Sequence, residues 1–224
     1  DSSKKAVELA EQHEHLFASV GLHPNYESDE WYEIEKYREL ATSSKVVAIG
    51  ECGLDYFRPA TVNDETKRKQ GAIFNDQIEL AAEVDKPLII HARHSKGPVD
   101  AYRDLIEILK EAKAKYPTLR GDIHFFTGGV EEAQALIALD FTISFTAVIT
   151  FARDYDAVIR AIPLEYILSE TDAPYLAPVS RRGKRNDPLA AIEVVAQIAS
   201  IRGEPLETVR AALLANAQRL FGLH

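Results

Sequence analysis

The chain has 224 residues, 46% of them hydrophobic and 27% charged, a composition that excludes extensive disorder and suits one large α/β domain. Its net charge of −9 excludes a protein that coats nucleic acid by bulk electrostatics, though a local basic patch or bound metal ions remain compatible with it. No apolar run approaches the roughly 18 residues of a membrane span. The first residues are charged and polar without a leader-like core, and the single cysteine, Cys52, has no partner for an internal disulfide. A reducing, cytoplasmic setting without membrane association is expected. The sequence contains no methionine, so it reads as a chain that starts inside its gene product.

In chain order, residues 1–12 read as a helix with Ser2 or Ser3 as cap. Residues 15–22 read as a strand ending in Gly21-Leu22-His23-Pro24. Trp31, Ile34, Tyr37 and Ala41 fall at helical spacing. Val46-Val47-Ala48-Ile49 is a compact apolar run of the kind buried on both faces of a parallel sheet. It breaks at Gly50 and is followed by Glu51, Gly53 and Asp55, and then by a polar loop through Arg58 and Pro59. A helix carrying Ile73, Phe74, Ile78, Ala81 and Ala82 follows, then a strand over 87–90 ending in His91-Ala92-Arg93-His94. The next helix has Val99, Tyr102, Leu105, Ile106 and Leu109 as its buried stripe.

Residues 119–126 form a strand closing on His124, followed by a short helix over 131–139 and an alternating strand over 141–145. A helix with Tyr155, Val158 and Ile162 precedes the last strand, 164–168, which ends in Ser169-Glu170-Thr171-Asp172. Ile192, Val195 and Ala199 mark one C-terminal helix. Val209, Leu213 and Leu220 mark a second, with Pro205 in its first turn. Strand and helix alternate six times, as parallel strands joined by right-handed crossovers require, and residues 1–224 read as one domain.

Glu51, His91, His124 and Asp172 each stand at the end of a separate predicted strand, and His23 at a fifth. Strand C-termini of a parallel sheet or barrel share one face, where catalytic groups gather. Two imidazoles and two carboxylates suit Zn²⁺, Mn²⁺ or a similar divalent ion and disfavour an all-oxygen Ca²⁺ site. Such ions acidify bound water and clamp phosphoryl oxygens, a recurrent route to phosphodiester hydrolysis.

Gly21-Leu22-His23-Pro24, Gly50-Glu51-Cys52-Gly53-Leu54-Asp55, the 87–93 segment ending in His91-Ala92-Arg93, Ile123-His124-Phe125-Phe126-Thr127-Gly128 and Glu170-Thr171-Asp172-Ala173-Pro174-Tyr175-Leu176 occur in this order. Arg182-Gly183-Lys184-Arg185-Asn186 and a closing Asn216-Ala217-Gln218-Arg219-Leu220-Phe221 follow. Together they resemble the TatD family of metal-dependent deoxyribonucleases, across essentially the whole chain.

The resemblance implies a (β/α)8 TIM-type barrel, one or two divalent metal ions (Zn, Mn or Mg) and exonuclease-type hydrolysis of DNA phosphodiesters. It implies Glu51 as bridging ligand, His91 and His124 on the second metal, and Asp172 on the first metal and as catalytic base. His23 would contact substrate or phosphate. The family opens with a His-x-His strand and a second βα unit, which this sequence lacks, so six strands are expected here. His13-Glu14-His15 sits where a helix gives way to a strand, at the end opposite the site, and is not a substitute for that pair.

Arg181, Arg182, Lys184 and Arg185 read as a phosphate-gripping loop at the mouth of the site. Arg93 and His94 follow His91 on the same face, also toward phosphate. Tyr56, Phe57, Phe126 and Tyr175 either stack on bases or pack at the rim. Glu170 reads as a hydrogen-bonding support for the ligands, and Cys52 as packing. The rival functions are a metal-dependent hydrolase of small esters, lactones or D-aminoacyl-tRNA, and a non-catalytic nucleic-acid-binding protein with an incomplete metal site.

Overall fold

The structure, a computed structural model, describes residues 2–25, 32–58, 62–97 and 99–223; Trp31 and Pro59 lie outside the described residues. Six strands follow one another in the sheet in chain order, and the registers of the first with the second, the second with the third and the fifth with the sixth are all parallel. The chain divides into two compact units, Asp1–Asp122 and Ile123–His224. Among the described residues, no helix is long and apolar enough to cross a membrane.

In the first unit, α1 (Ser2–Glu11) buries Ser3, Val7 and Ala10. Ser3 lies inside the helix rather than capping it. Its hydroxyl donates to the Gly21 carbonyl (3.2 Å) and accepts from the Gly21 N–H (3.3 Å), tying α1 to the segment after β1 (Ala18–Val20). That strand is shorter than predicted. The preceding turn is closed by the Lys45 ammonium, which donates to the carbonyls of His13 (2.8 Å) and Glu14 (2.7 Å), and His13 and His15 are exposed there. α2 (Ile34–Leu40) fully buries none of its residues.

β2 (Val46–Asp55) does not end at Gly50 as predicted but continues for five residues against β3 (Leu88–Arg93). The register passes from Gly50↔Ile89 to Cys52↔Ile90, so two residues of β2 advance for one of β3 and Glu51 is the extra residue of a bulge. Two glycines permit it. Gly50 (φ +151°) and Gly53 (φ +127°) hold conformations that side chains rarely adopt. A Cβ on Gly53 would lie 2.1 Å from the His91 carbonyl oxygen.

α3 (Asp64–Glu83), capped by the Asn63 side chain on the Thr66 N–H (2.8 Å), and α4 (Asp100–Lys115), with Tyr102, Leu105, Ile106 and Leu109 buried, complete the unit.

β4 (Gly121–His124) spans the boundary at Asp122, and α5 (Val130–Ile137) and β5 (Phe141–Phe145) follow in the second unit. All five residues of β5 are buried, so its apparent alternation of polarity does not correspond to an exposed face. After α6 (Asp156–Ala161), the predicted 164–168 strand divides into a 3₁₀ turn, Leu164–Tyr166, and β6 (Ile167–Ser169). Asn216 of α8 (Leu206–Phe221) holds that junction, its amide donating to the carbonyls of Leu164 (2.8 Å) and Ile167 (2.9 Å).

Pro205 precedes the first residue of α8 rather than lying within its first turn. α7 (Ala191–Arg202) buries Val194, Ile198 and Ile201 and leaves Ile192 69% exposed. Ala199 of the predicted stripe is also buried, but packing turns Val194, Ile198 and Ile201 inward in place of Ile192.

Candidate active site

In the first unit, the bulge carries Glu51 to His91 and His23. Glu51 Oε1 lies 2.8 Å from His91 Nδ1 and 3.6 Å from His23 Nε2, and the two imidazole centroids are 4.5 Å apart. Behind His91, its Nε2 lies 3.0 Å from Oδ2 of Asp55, a carboxylate with no exposed surface. Oδ1 of Asp55 accepts from the N–H groups of Phe57 (2.8 Å) and Arg58 (3.0 Å), and Asn25 donates to Oδ2. Burial opposes ionisation of Asp55, but the His91 hydrogen bond and these N–H donors outweigh it and hold its carboxyl far below the usual range.

Two glutamines on one face of α3 fix the strand ends that present this group. Gln77 accepts from the Leu22 N–H (2.8 Å) and donates to the Leu22 carbonyl (3.1 Å), setting the residue before His23. Gln70 makes the same pair of bonds with Asp55 (2.9 Å each). Both side chains are buried and supply the backbone partners that a neighbouring strand would otherwise provide.

The proton positions follow from these contacts. A neutral His91 has one N–H to share between two carboxylates. It goes to the buried Asp55, where an uncompensated charge costs most. The Nδ1 lone pair then faces Glu51 Oε1 at 2.8 Å, a repulsive contact unless a second proton or a cation lies between them. Burial works against a charged His91, yet its bonds to Asp55 and Glu51 raise its pKa. His23 differs. Its Nδ1 accepts from the Asn25 N–H (3.1 Å), so its neutral ring carries the proton on Nε2, toward Glu51. Burial and the neighbouring His91 lower its pKa against the opposing pull of Glu51.

In the second unit, His124 Nδ1 lies 2.6 Å from Glu170 Oε2, and His124 Nε2 lies 3.8 Å from Asp172 Oδ1. Glu170 Oε1 is anchored by the Phe125 N–H (2.7 Å) and the Ser144 hydroxyl (2.5 Å). Phe125 (φ +46°) and Asp172 (φ +50°) are left-handed without being glycine and sit just beyond β4 and β6. Non-glycine residues keep such conformations only where their surroundings enforce them. Buried Asn186 donates to the Thr171 carbonyl (2.8 Å), binding the loop after β6 to the Asp172 turn.

The four cations of the 181–185 segment divide. Arg181 is paired with Asp187, the Arg182 guanidinium stacks 4.0 Å over the Phe151 ring, and Lys184 and Arg185 are exposed. At the end of β3 the Arg93 guanidinium lies 4.1 Å over Phe57. His94 Nδ1 faces the carbonyl of Ser95 (2.7 Å).

Of the four candidate stacking aromatics, Tyr56 (3% exposed) and Phe126 (1%) belong to the core, whereas Phe57 and Tyr175 are exposed. Cys52 is fully buried, and burial raises its thiol pKa. Sequence reasoning assigned no role to Asp55, Asn25, Gln70 or Gln77. For Asp55 a signal was available, since it closes the motif that contains Glu51. For the glutamines the only signal was their seven-residue spacing on a helix.

The donor set fits a divalent metal. Glu51 Oε1 and His91 Nδ1 lie 2.8 Å apart, with His23 beside them as a proton donor rather than a ligand. In both units a histidine gives one ring nitrogen to a rear carboxylate and turns the other toward a second carboxylate. This is the outer-shell pattern that orients metal-binding imidazoles.

Comparisons with known proteins agree. The family model described as TatD related DNase matches residues 1–222. The metal-dependent hydrolase YabD of Bacillus subtilis is 37% identical over 98% of this chain and 83% of its own length. A protein of Erwinia amylovora named 3'-5' ssDNA/RNA exonuclease TatD is 35% identical over 99% of this chain and 84% of its own. The crystal structure of a TatD homologue from Escherichia coli superposes with a TM-score of 0.86 at 30% identity, covering 99% of this chain and 82% of that one.

Proposed function

The chain belongs to the TatD-related DNase family, whose members include metal-dependent hydrolases similar to it, and from that premise we propose that it hydrolyses phosphodiester bonds of DNA from a strand end. The reading rests on the family match over both units and on the paired carboxylate–histidine–carboxylate groups. A relative of similar identity carries the name of a single-strand exonuclease.

In this reading Glu51, His91, His124 and Asp172 hold one or two divalent ions, of the Zn²⁺, Mn²⁺ or Mg²⁺ type. Bound ions supply acidification of water and neutralisation of phosphoryl charge. Asp55 and Glu170 keep the ligating nitrogens of His91 and His124 unprotonated and aimed. Asp172 accepts the proton of the attacking water while that oxygen bonds to phosphorus and the phosphorus–ester oxygen bond breaks. His23 is assigned a different task from His91 because its Nδ1 is already an acceptor. Its Nε2–H donates to a phosphate oxygen rather than ligating. Arg93, Arg182 and Lys184 contact the phosphates of the strand without reading its sequence.

The test is a side-by-side assay of a labelled DNA strand and small carboxylic esters with Mn²⁺-loaded wild-type, Glu51→Ala and Asp172→Ala proteins. DNA cleavage is expected from the wild type and a loss of roughly a thousandfold or more in each variant, with the unfolding transition retained. Metal-dependent DNA cleavage by either variant, or ester hydrolysis without DNA cleavage by the wild type, overturns the reading.

A further inference from the structure

We infer that Phe57, with Arg58 and Lys96 beside it, forms a stacking platform for an unpaired nucleotide of the strand. The inference deepens the nucleic-acid reading of the preceding subsection and rests on it. Phe57 retains 43% of its surface exposed, although it lies two residues beyond Asp55 at the end of β2.

The backbone that carries the ring is held in place. The Phe57 N–H and that of Arg58 are bonded to the buried Asp55 carboxylate, which also orients His91. The platform is therefore fixed through one side chain to the candidate active site. The Arg93 guanidinium lies over the ring at 4.1 Å and the Lys96 ammonium at 6.0 Å.

Phe57 borders an open cleft of about 570 Å³ lined also by Tyr56, Arg58, Lys67, Ser95 and Lys96, within the roughly 300–1,000 Å³ typical of small-ligand sites. The acids beside the cleft already have partners. Asp100 accepts from the Ser95 hydroxyl (2.8 Å) and N–H (3.0 Å), and Asp104 from Lys67 (2.9 Å) and the Tyr56 hydroxyl (3.0 Å). Arg58, Arg93 and Lys96 enter no ion pair among the described residues.

In a chain of net charge −9, unpaired cations gathered around an exposed ring are matched to a ligand with a π-face and an adjoining anion. An unpaired nucleotide offers both. Among the described residues, the other exposed ring beside a cation, Phe17 with Lys45 at 5.1 Å, is different, because the Lys45 ammonium is occupied by three backbone carbonyls.

Fluorescence anisotropy of a labelled twelve-thymidine strand in EDTA, where no hydrolysis runs, reads the platform directly. Phe57→Ala is expected to raise Kd about tenfold, equivalent to about 1.4 kcal/mol, and Phe57→Trp to retain wild-type affinity. On a strand lacking its bases, wild type and Phe57→Ala bind alike. Replacing Arg58 and Lys96 by Gln flattens the dependence of log Kd on log salt by about 0.7 per cation.

Equal binding of the thymidine strand by wild type and Phe57→Ala, an equal loss on both strands, or no binding by the wild type overturns the platform. DNA cleavage by wild type with binding indifferent to Phe57 retires the platform alone. Phe57-dependent binding without any DNA cleavage retires the hydrolytic reading and leaves the platform standing.

Discussion

The first and second units carry the same chemical group on different backbones. In the first, Glu51 faces His91 because β2 bulges between Gly50 and Cys52. In the second, Asp172 faces His124 and the backbone turns through left-handed Phe125 and Asp172. The first route uses glycines, and the second turns through two non-glycine residues in left-handed conformations, each costing about 1–3 kcal/mol.

Common to both is the rear carboxylate, which does two jobs. Asp55 orients His91 and binds the N–H groups of Phe57 and Arg58; Glu170 orients His124 and binds the N–H of the strained Phe125. A histidine whose far nitrogen must be fixed and a strand end whose N–H groups need an acceptor are satisfied together by one acid. The backbone route to that solution is free to vary.

The likeness can be broken most severely at Gly53. Gly53→Ala drives a Cβ against the His91 carbonyl oxygen and is expected to cost about 3 kcal/mol or more. That lowers the unfolding midpoint by roughly 10 °C in a thermal melt, with no glycine at the equivalent strand ends of the second unit to give a matching loss.

The rear carboxylates come next. Asp55→Asn and Glu170→Gln each present an amide N–H₂ to a ring nitrogen or backbone donor and are expected to weaken divalent-metal binding about 10- to 100-fold by isothermal titration calorimetry. If only one of them does so, the two groups are not equivalent.

A smaller effect is expected in the strand-end clips. Gln77→Leu leaves the buried N–H and carbonyl of Leu22 without partners, at about 1–3 kcal/mol in urea denaturation. Asn216→Leu orphans two carbonyls at the start of β6 and is expected to cost less, since a carbonyl has a second lone pair to satisfy and an N–H has only one proton.

Much of this organisation was legible in the residues. Local apolar runs located all six strands, but β2 runs on to Asp55, so Glu51 and His91 lie inside β2 and β3, whereas His124 ends β4 and Asp172 lies just beyond β6. The misses have one cause. Gln70 and Gln77 on α3 look like ordinary surface residues until their partners, Asp55 and Leu22, are known, and these lie 15 and 55 positions away. The stripe of α7 held only at Ala199, for a related reason. Its sequence permits two registers, and only the surface it packs against chooses between Ile192 and Val194.

The sequence alone settled the alternation of strand and helix, the family, and the chemical types gathered at the strand ends, because these depend on periodicity and on the short motifs around each ending. Tertiary structure decided which nitrogen of His91 and His124 faces forward and why His23 presents a proton instead of a lone pair. It also decided that Glu51 enters as the extra residue of a bulge. Hydrogen-bond direction and strand register are set by groups distant in the chain, so no local pattern encodes them.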